Sequence, residues 1–433
     1  MNRTITGAAI AAVLAVSAGT AQAELGWSVG TGAGHSDNAN RVETGKIDDT
    51  LMTLGGAIAY EHESRRVQAS LTGYGTYLDY LDDTYDSDFL ASGTGSLVIG
   101  IVPEQFLWTF DDTFGQMTIN QFEPVTPENR QNANFFSTGP DLILRIGSQS
   151  NLKFGARYAD SRYEETDTVN DQRLTGDITF SRQTSASVTW SAVAQASRVE
   201  YDVPGNPGYD LQNLFGQLQA EGARQTVSLD LGATRVADGG ESYTNPLVRL
   251  DWNRRLTPSW TMDLNLGSEY RNTADRFVAG ASVPDSGTGG VNVTGVPSET
   301  YYGGVTFSFQ RPGTGFYVGT TYTRDNYVRS GELDENYWNA SLGVSRRFTQ
   351  QVQGFADYRY EKRDFQSGVG TDDTNTFSAR LDWALGRAIF ITGGYRYEDR
   401  GSDIGTNGYT ENLVYLSLSY RHGTIGAARN FAF

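Results

Sequence analysis

The chain has 433 residues, no Cys, and 34 Lys and Arg against 51 Asp and Glu, a formal net charge of −17. That acidity argues against nucleic acid as a partner, which needs a basic surface, and without Cys neither disulfides nor thiolate metal sites hold the fold. A count of 50 Gly, 24 Tyr and 21 Phe, beside a mean hydropathy of −0.44, suits strands, tight turns and aromatic belts, and a barrel with alternate residues toward lipid leaves hydropathy windows flat.

From the N-terminus, Arg3 gives a short basic region, Ile5 to Val16 an apolar stretch, and Ala21-Gln22-Ala23 the small-x-small pattern that signal peptidase cuts after. The apolar stretch is shorter than the roughly 20 residues a spanning helix needs, and no Cys follows to carry a lipid. Residues 1–23 are therefore expected to be a cleaved signal peptide and 24–433 a single domain, with Glu24 as the mature N-terminus.

Strand-like segments then recur at roughly 20-residue spacing, from Gly26–Gly34 to Asn412–Arg421. In the segment from Val67, the residues Val67, Ala69, Leu71, Gly73, Gly75 and Tyr77 share one face, and Gln68, Ser70, Thr72, Tyr74 and Thr76 the other. Later segments repeat this with charge on the wet side. Leu152, Phe154, Ala156 and Tyr158 oppose Lys153 and Arg157. Trp260, Met262, Leu264, Leu266 and Tyr270 oppose Asp263, Asn265 and Glu269. Val352, Gly354, Ala356, Tyr358 and Tyr360 oppose Gln353, Asp357 and Arg359, and Phe377, Ala379, Leu381 and Trp383 oppose Arg380 and Asp382.

Connections alternate in length. Short ones include Glu63–Arg66, Ser148–Asn151, Gln183–Ser185, Thr257–Ser259, Arg311–Gly315 and Leu385–Arg387. Long, mostly acidic ones include Asp37–Asp49, Asp82–Asp88, Glu123–Asn132, Asp202–Tyr209, Ala237–Asn245, Asn272–Pro297 and Ser367–Asp373. Short turns on one side and long loops on the other are the outer-membrane pattern. The fold expected is all-β, a single closed antiparallel transmembrane β-barrel of about 18–20 strands with both ends in the periplasm. Phe431-Ala432-Phe433 supplies a terminal aromatic of the kind the outer-membrane assembly machinery reads, although Gly423 to Arg429 separates it from the last clear strand.

Aromatic residues two apart, followed by Arg, Lys or Asp, recur where strands leave toward long loops: "YADSRY" from Tyr158, "YTRDNY" from Tyr322, "YRYEKRDF" from Tyr358 and "YRYEDR" from Tyr395. "GHSDNANR" stands at Gly34–Arg41 and "NLVYLSLSYR" at Asn412–Arg421. Over most of the mature chain these resemble a family of outer-membrane β-barrel porins found in bacterial exopolysaccharide loci. The resemblance implies a pore in the cell outer membrane linked to exopolysaccharide export. It implies as partners outer-membrane lipid and lipopolysaccharide, the assembly machinery, the polysaccharide and a periplasmic export partner. It carries over no functional residues. A general or solute-specific diffusion porin for uptake is the alternative; a barrel enzyme or a structural, adhesive barrel stands further off.

The residues expected to line the lumen are Arg145, Arg157, Arg249, Arg359, Arg380 and Arg396, with Asp263, Asp357 and Asp382, joined by Asp230, Asp251, Glu269 and Glu398. Mixed charge with hydroxyl and amide groups can hydrogen-bond a hydrated polymer, and paired charges also serve to hold the strands of any wide barrel. No catalytic residue, metal ligand set or cofactor is expected. His35, His62 and His422 lack metal spacing, His35-Ser36-Asp37 reads as a polar loop, and no nucleophile elbow or phosphate loop occurs. The longest loop, Asn272–Pro297, carries few charges. It can fold inward without the desolvation cost of buried carboxylates, and is expected to lie in or over the pore mouth and restrict it.

Overall fold

A computed structural model describes residues 23–203, 208–281, 294–366 and 368–423. Nearly all of the expected signal peptide and the terminal Phe431-Ala432-Phe433 lie outside the described residues. The strands are β1 (Ala23–Ser36), β2 (Asp49–Glu63), β3 (Val67–Tyr80), β4 (Asp88–Val102), β5 (Phe106–Thr118), β6 (Arg130–Ile146), β7 (Ser150–Tyr163), β8 (Asp171–Ser185), β9 (Val188–Tyr201), β10 (Tyr209–Gly222), β11 (Gln225–Asp238), β12 (Glu241–Thr257), β13 (Trp260–Arg271), β14 (Ser298–Arg311), β15 (Thr314–Tyr327), β16 (Glu335–Arg347), β17 (Val352–Phe365), β18 (Gly370–Ala384), β19 (Ile389–Ser402) and β20 (Tyr409–His422). Each pairs antiparallel with its neighbours in sequence, and β1 pairs with β20, from Trp27↔His422 to Ser36↔Leu413, closing one 20-stranded barrel.

Residues directly opposite in an antiparallel pair share a face, so one assignment propagates through the registers and returns unchanged to β1. Leu54, Leu174, Leu214, Leu231, Leu381, Val414 and Leu416 fall on one face, each more than half exposed. Leucines bare to this degree all round a sheet mark the surface that meets lipid. Trp190, Trp252, Trp260, Phe309 and Trp383 edge that face near the short turns, where interfacial aromatics belong. Acids also occur on the outward face, as at Asp160 of β7; Asp112 of β5 shares it with Phe110 and Phe114, and its carboxylate accepts a 2.8 Å bond from Asn134 Nδ2.

The ends of β1 and β20 lie on the side of the short turns. Two connections read from sequence as long loops are tight instead. Ala237–Asn245 is mostly strand, because β11 and β12 run on to a Gly239-Gly240 turn in which both glycines have positive φ, 58° and 93°. That is the geometry of a type I′ hairpin, which favours Gly at both positions. Ser367–Asp373 likewise lies mostly within β18, which starts at Gly370. The β12–β13 ladder stops at Val248↔Ser268, and Pro246, with no N–H to donate, sits just beyond it.

Candidate functional site

On the loop side the inward face is packed like a core. Leu51, Leu78, Tyr80, Leu413 and Tyr415 form one cluster with Ala39, and Val199, Tyr209 and Val236 form another, which Tyr270 joins beyond the end of the β12–β13 ladder. Between them Met117, Ala133, Phe135 and Tyr163, from β5, β6 and β7, close around Phe277. Phe277 is 2 % exposed and belongs to a helix, α1 (Thr273–Ala281), that follows β13.

The start of α1 is fixed locally. Asn272 Oδ1 accepts the Asp275 backbone N–H at 2.9 Å, and Asp275 Oδ2 accepts the Asn272 N–H at 3.2 Å, a reciprocal cap that satisfies two otherwise orphaned donors. From there the helix reaches opposite stretches of wall. Arg173 Nη1 of β8 donates to Asp275 Oδ1 at 2.9 Å, and Asn272 Nδ2 to Tyr209 Oη of β10 at 3.0 Å. Arg276 Nη2 lies 2.9 Å from Asp325 Oδ1 of β15 and also donates to Ser298 of β14, while Nη1 donates to Tyr327 Oη at 2.7 Å. Burial alone would lower the Arg276 pKa, but Tyr327, Asp325 and Glu335 outweigh it and hold the guanidinium above its ordinary value. A helix of nine residues is about 13 Å long, so α1 is a strut between the β5–β8 wall and the β14–β15 wall. Gly115 of β5 makes room for it: a Cβ there would stand 2.8 Å from the Phe277 ring.

A second segment crosses the mouth. The β5–β6 loop is braced by buried Asn129, whose Nδ2 donates to Asn120 O at 2.8 Å and Pro124 O at 3.0 Å while its Oδ1 accepts from Asn120 N at 2.8 Å. Its tip is held from the far wall. Arg400 Nη2 of β19 and Asn407 Nδ2 donate to Phe122 O at 3.1 and 2.7 Å, and the Phe122 ring meets Phe365 of β17 edge-on at 4.9 Å. Arg41 Nη1, from the β1–β2 loop, donates to Val125 O at 2.6 Å. Together with α1 this loop fills the mouth on the side of the long connections.

Below the packed zone the inward face is polar. Arg157 bonds Asp141 at 2.5 Å, with Lys153 3.1 Å from Asp177. Arg249 lies 2.6 Å from Glu269 and 3.3 Å from Asp230. Arg396 is 3.3 Å from Glu411, and Glu398 accepts from Tyr409 Oη. Asp382 accepts from Thr392 at 2.9 Å, and Arg380 stands 3.9 Å from it, 4.2 Å over the Phe355 ring. The registers put Arg359, Asp357, Asp251 and Asp263 on this same face, with Asp263 accepting from Asn253. Arg145 pairs with Glu104 at the rim, both side chains 60 % exposed. His35 lies on the outward face with Nδ1 3.4 Å from Thr50 Oγ1. Among the described residues no group of three or more His, Cys, Asp or Glu is arranged to hold a metal ion.

The segment Asn272–Pro297, expected in or over the mouth, begins with α1, and its residues 282–293 lie outside the described residues; sequence reasoning did not find that it starts as a helix, the anchoring roles of Phe277 and Arg276, or the crossing β5–β6 loop. For α1 a signal was available: Asn272-Thr273-Ala274-Asp275 is a helix-capping pattern. For the β5–β6 loop there was none, because its partners are remote in sequence.

No curated protein matches the chain. Solved structures that match it share the barrel form at low similarity. The FrpB iron transporter from Neisseria meningitidis, F3-3 variant, aligns at 10% identity and TM-score 0.48, over 92% of this chain and 81% of that one. OccK2 (OpdF) of Pseudomonas aeruginosa, in complex with glucuronate, aligns at 11% identity and TM-score 0.39, over 93% and 99%. OmpT of Vibrio cholerae with loop L8 deleted aligns at 9% identity and TM-score 0.36, over 93% and 100%. Residues 336–422, from β16 to the end of β20, match the family described as "Putative beta-barrel porin 2". The closed 20-stranded barrel with its apolar outer belt is a transmembrane β-barrel of the outer-membrane kind, and its last five strands are similar to that porin family.

Proposed function

We propose that this barrel is a gated pore for hydrated saccharide and that its cargo is exopolysaccharide leaving the cell. The observation that carries the reading is the contrast inside the wall: a polar, ion-paired face on the side of the short turns, below a mouth filled by α1 and the β5–β6 loop. Paired charges, Ser and Thr hydroxyls and Asn and Gln amides can exchange hydrogen bonds with a sugar chain as they do with water. A barrel of this strand number is wide enough for an aqueous channel, since barrels of roughly 16–18 strands already leave one. The resemblance of the aromatic–Arg strand ends to porins of exopolysaccharide loci supports the choice of cargo, and implies a periplasmic partner that delivers it. Export then requires α1 to leave its seat.

A clean deletion, complemented by the intact chain, tests this by surface polysaccharide: loss on deletion and recovery on complementation are expected. A second reading, diffusion of small solutes inward, is favoured by the strut itself, because a lumen divided by α1 admits small molecules more readily than a polymer. Unchanged surface polysaccharide with slowed uptake of a small solute would select that reading.

A further inference from the structure

Cations are distributed unevenly. On the loop side and along the inward wall many are paired, as in Arg41–Glu411, Arg130–Asp88, Arg173–Asp275 and Arg400–Asp372, while Arg324 on the outward face at the loop end bonds Asn326 Oδ1 at 3.1 Å. The short turns behave differently. Arg65-Arg66, Arg254-Arg255 and Arg346-Arg347 are all exposed, as are Arg182, Arg224, Arg311 and Arg387, and among the described residues none of them is within salt-bridge distance of a carboxylate. In a chain of net charge −17 carboxylates are abundant, so the separation is one of position. It is also interrupted at one place. Every short turn from β8–β9 round to β18–β19 carries at least one of these arginines in it or within four residues of it, and β2–β3 carries two, whereas β4–β5 has none and beside β6–β7 Arg145 is tied to Glu104.

The result is a crescent of cations along the rim of the barrel, with successive turns two strands apart, about 10 Å. Like charges so placed repel one another, and among the described residues no carboxylate lies within salt-bridge distance of them. Arg254 lies 5.6 Å over Trp252 and Arg311 5.4 Å over Phe309, which holds these planar groups at the edge of the wall. By strand parity Arg255 and Arg347 turn toward the lumen. There the cations continue upward on the inward face of β17–β20, first Arg380 and Arg421, stacked 4.2 and 4.1 Å over Phe355 and Phe390, then Arg359 and Arg396.

We infer that the crescent is the landing surface for an anionic polysaccharide, one bearing carboxylates along its length, before it enters the pore; this rests on the saccharide-pore reading above. Guanidinium forks bind carboxylates in pairs of parallel hydrogen bonds, and a row of unpaired cations at an entrance raises the local concentration and capture rate of a polyanion. A lipid-binding role would use the outward arginines alone, Arg182, Arg254, Arg311 and Arg346. The continuation of the cations into the lumen favours a chain that passes through.

The test is fluorescence anisotropy of labelled oligogalacturonate with the full-length barrel in phosphatidylcholine nanodiscs. The wild type is expected to bind in a salt-dependent manner, and the combined variant Arg254→Gln, Arg255→Gln, Arg346→Gln, Arg347→Gln about tenfold more weakly. Labelled neutral dextran of equal length should not distinguish the two proteins. The control variant Arg235→Gln, Arg324→Gln, at the loop end of the outward face, should bind oligogalacturonate like the wild type. Equal binding by wild type and combined variant overturns the inference; if deletion of the chain still abolishes surface polysaccharide, the export reading survives that result. A combined variant that instead loses a preference for phosphatidylglycerol over phosphatidylcholine nanodiscs, with oligogalacturonate binding intact, makes the crescent a lipid contact and equally overturns it.

Discussion

Arg276 of α1 and Asp325 of β15 meet at 2.9 Å, with only 12 % and 6 % of their side chains accessible. The pair ties the strut to the wall next to which it emerges, and Phe277, one residue on, ties it to the wall opposite. Removing the cation leaves a buried carboxylate with only the Thr300 and Ser298 hydroxyls to face it, at a cost of up to about 3–5 kcal/mol. Arg276→Met is therefore expected to unseat α1 while the barrel remains folded. Single-channel recording in planar bilayers should show larger or more frequent openings than the wild type, and an unchanged current from inserted channels would mean that the pair does not hold the mouth.

The seat itself offers an independent handle. A Cβ at Gly115 would meet the Phe277 ring at 2.8 Å, whereas at Gly176, on the outward face, nothing lies within 4 Å. Gly115→Val should raise conductance as Arg276→Met does, and Gly176→Val should leave it alone. Both variants should insert into bilayers as well as the wild type.

Asn129 satisfies a cluster of backbone groups in the β5–β6 loop. Asn129→Ala leaves those groups without partners, each costing about 1–3 kcal/mol where buried, so the loop should loosen from Phe365 and Arg400. Faster hydrogen exchange at residues 119–129, with strand amides as protected as before, is the expected signature.

Facing is testable on β13, where neighbours in sequence point in opposite directions. Leu264 shares the outward face with Leu266, and Asp263 the inward face with Asn253. Leu264→Arg should cost about 2–4 kcal/mol near the midplane and less toward either interface. Asp263→Arg should cost much less, because its guanidinium meets water. Equilibrium folding into lipid vesicles compares the two, and equal losses would reverse the assignment.

What the sequence discloses of this fold follows the period of the backbone. Alternation reveals which residues share a face, since a strand has no other way to bury half its side chains. Leu152, Phe154 and Ala156 therefore separate from Lys153 and Arg157 by inspection. Strand ends are less visible. Ala237 to Asn245 reads as a loop because Asp, Glu and Gly cluster there, yet the flanking residues pair to the tip, Asp238↔Glu241, round two glycines. At the mouth the sequence suggests which segment turns inward, Asn272–Pro297, but not what it touches. Phe277 and Phe135 are ordinary aromatics until the barrel brings β6 round to α1, and Arg400 meets Phe122 only because the wall curves. Such contacts depend on closure, which no local pattern encodes.

Closure has a kinetic side. Gly30 pairs with Ser419, a separation of 419 − 30 = 389 residues, while every other ladder joins neighbours in sequence. Bringing such distant ends together costs about 4 kcal/mol more chain entropy than closing a tight turn, so the β1–β20 seam should be the last ladder to form. Until it does, β1 and β20 are bare edges, each with a row of unpaired N–H and C=O groups that lipid cannot satisfy. A nearly finished barrel is thus the most aggregation-prone species on the path, and its lifetime depends on whatever shields those two strands until they meet.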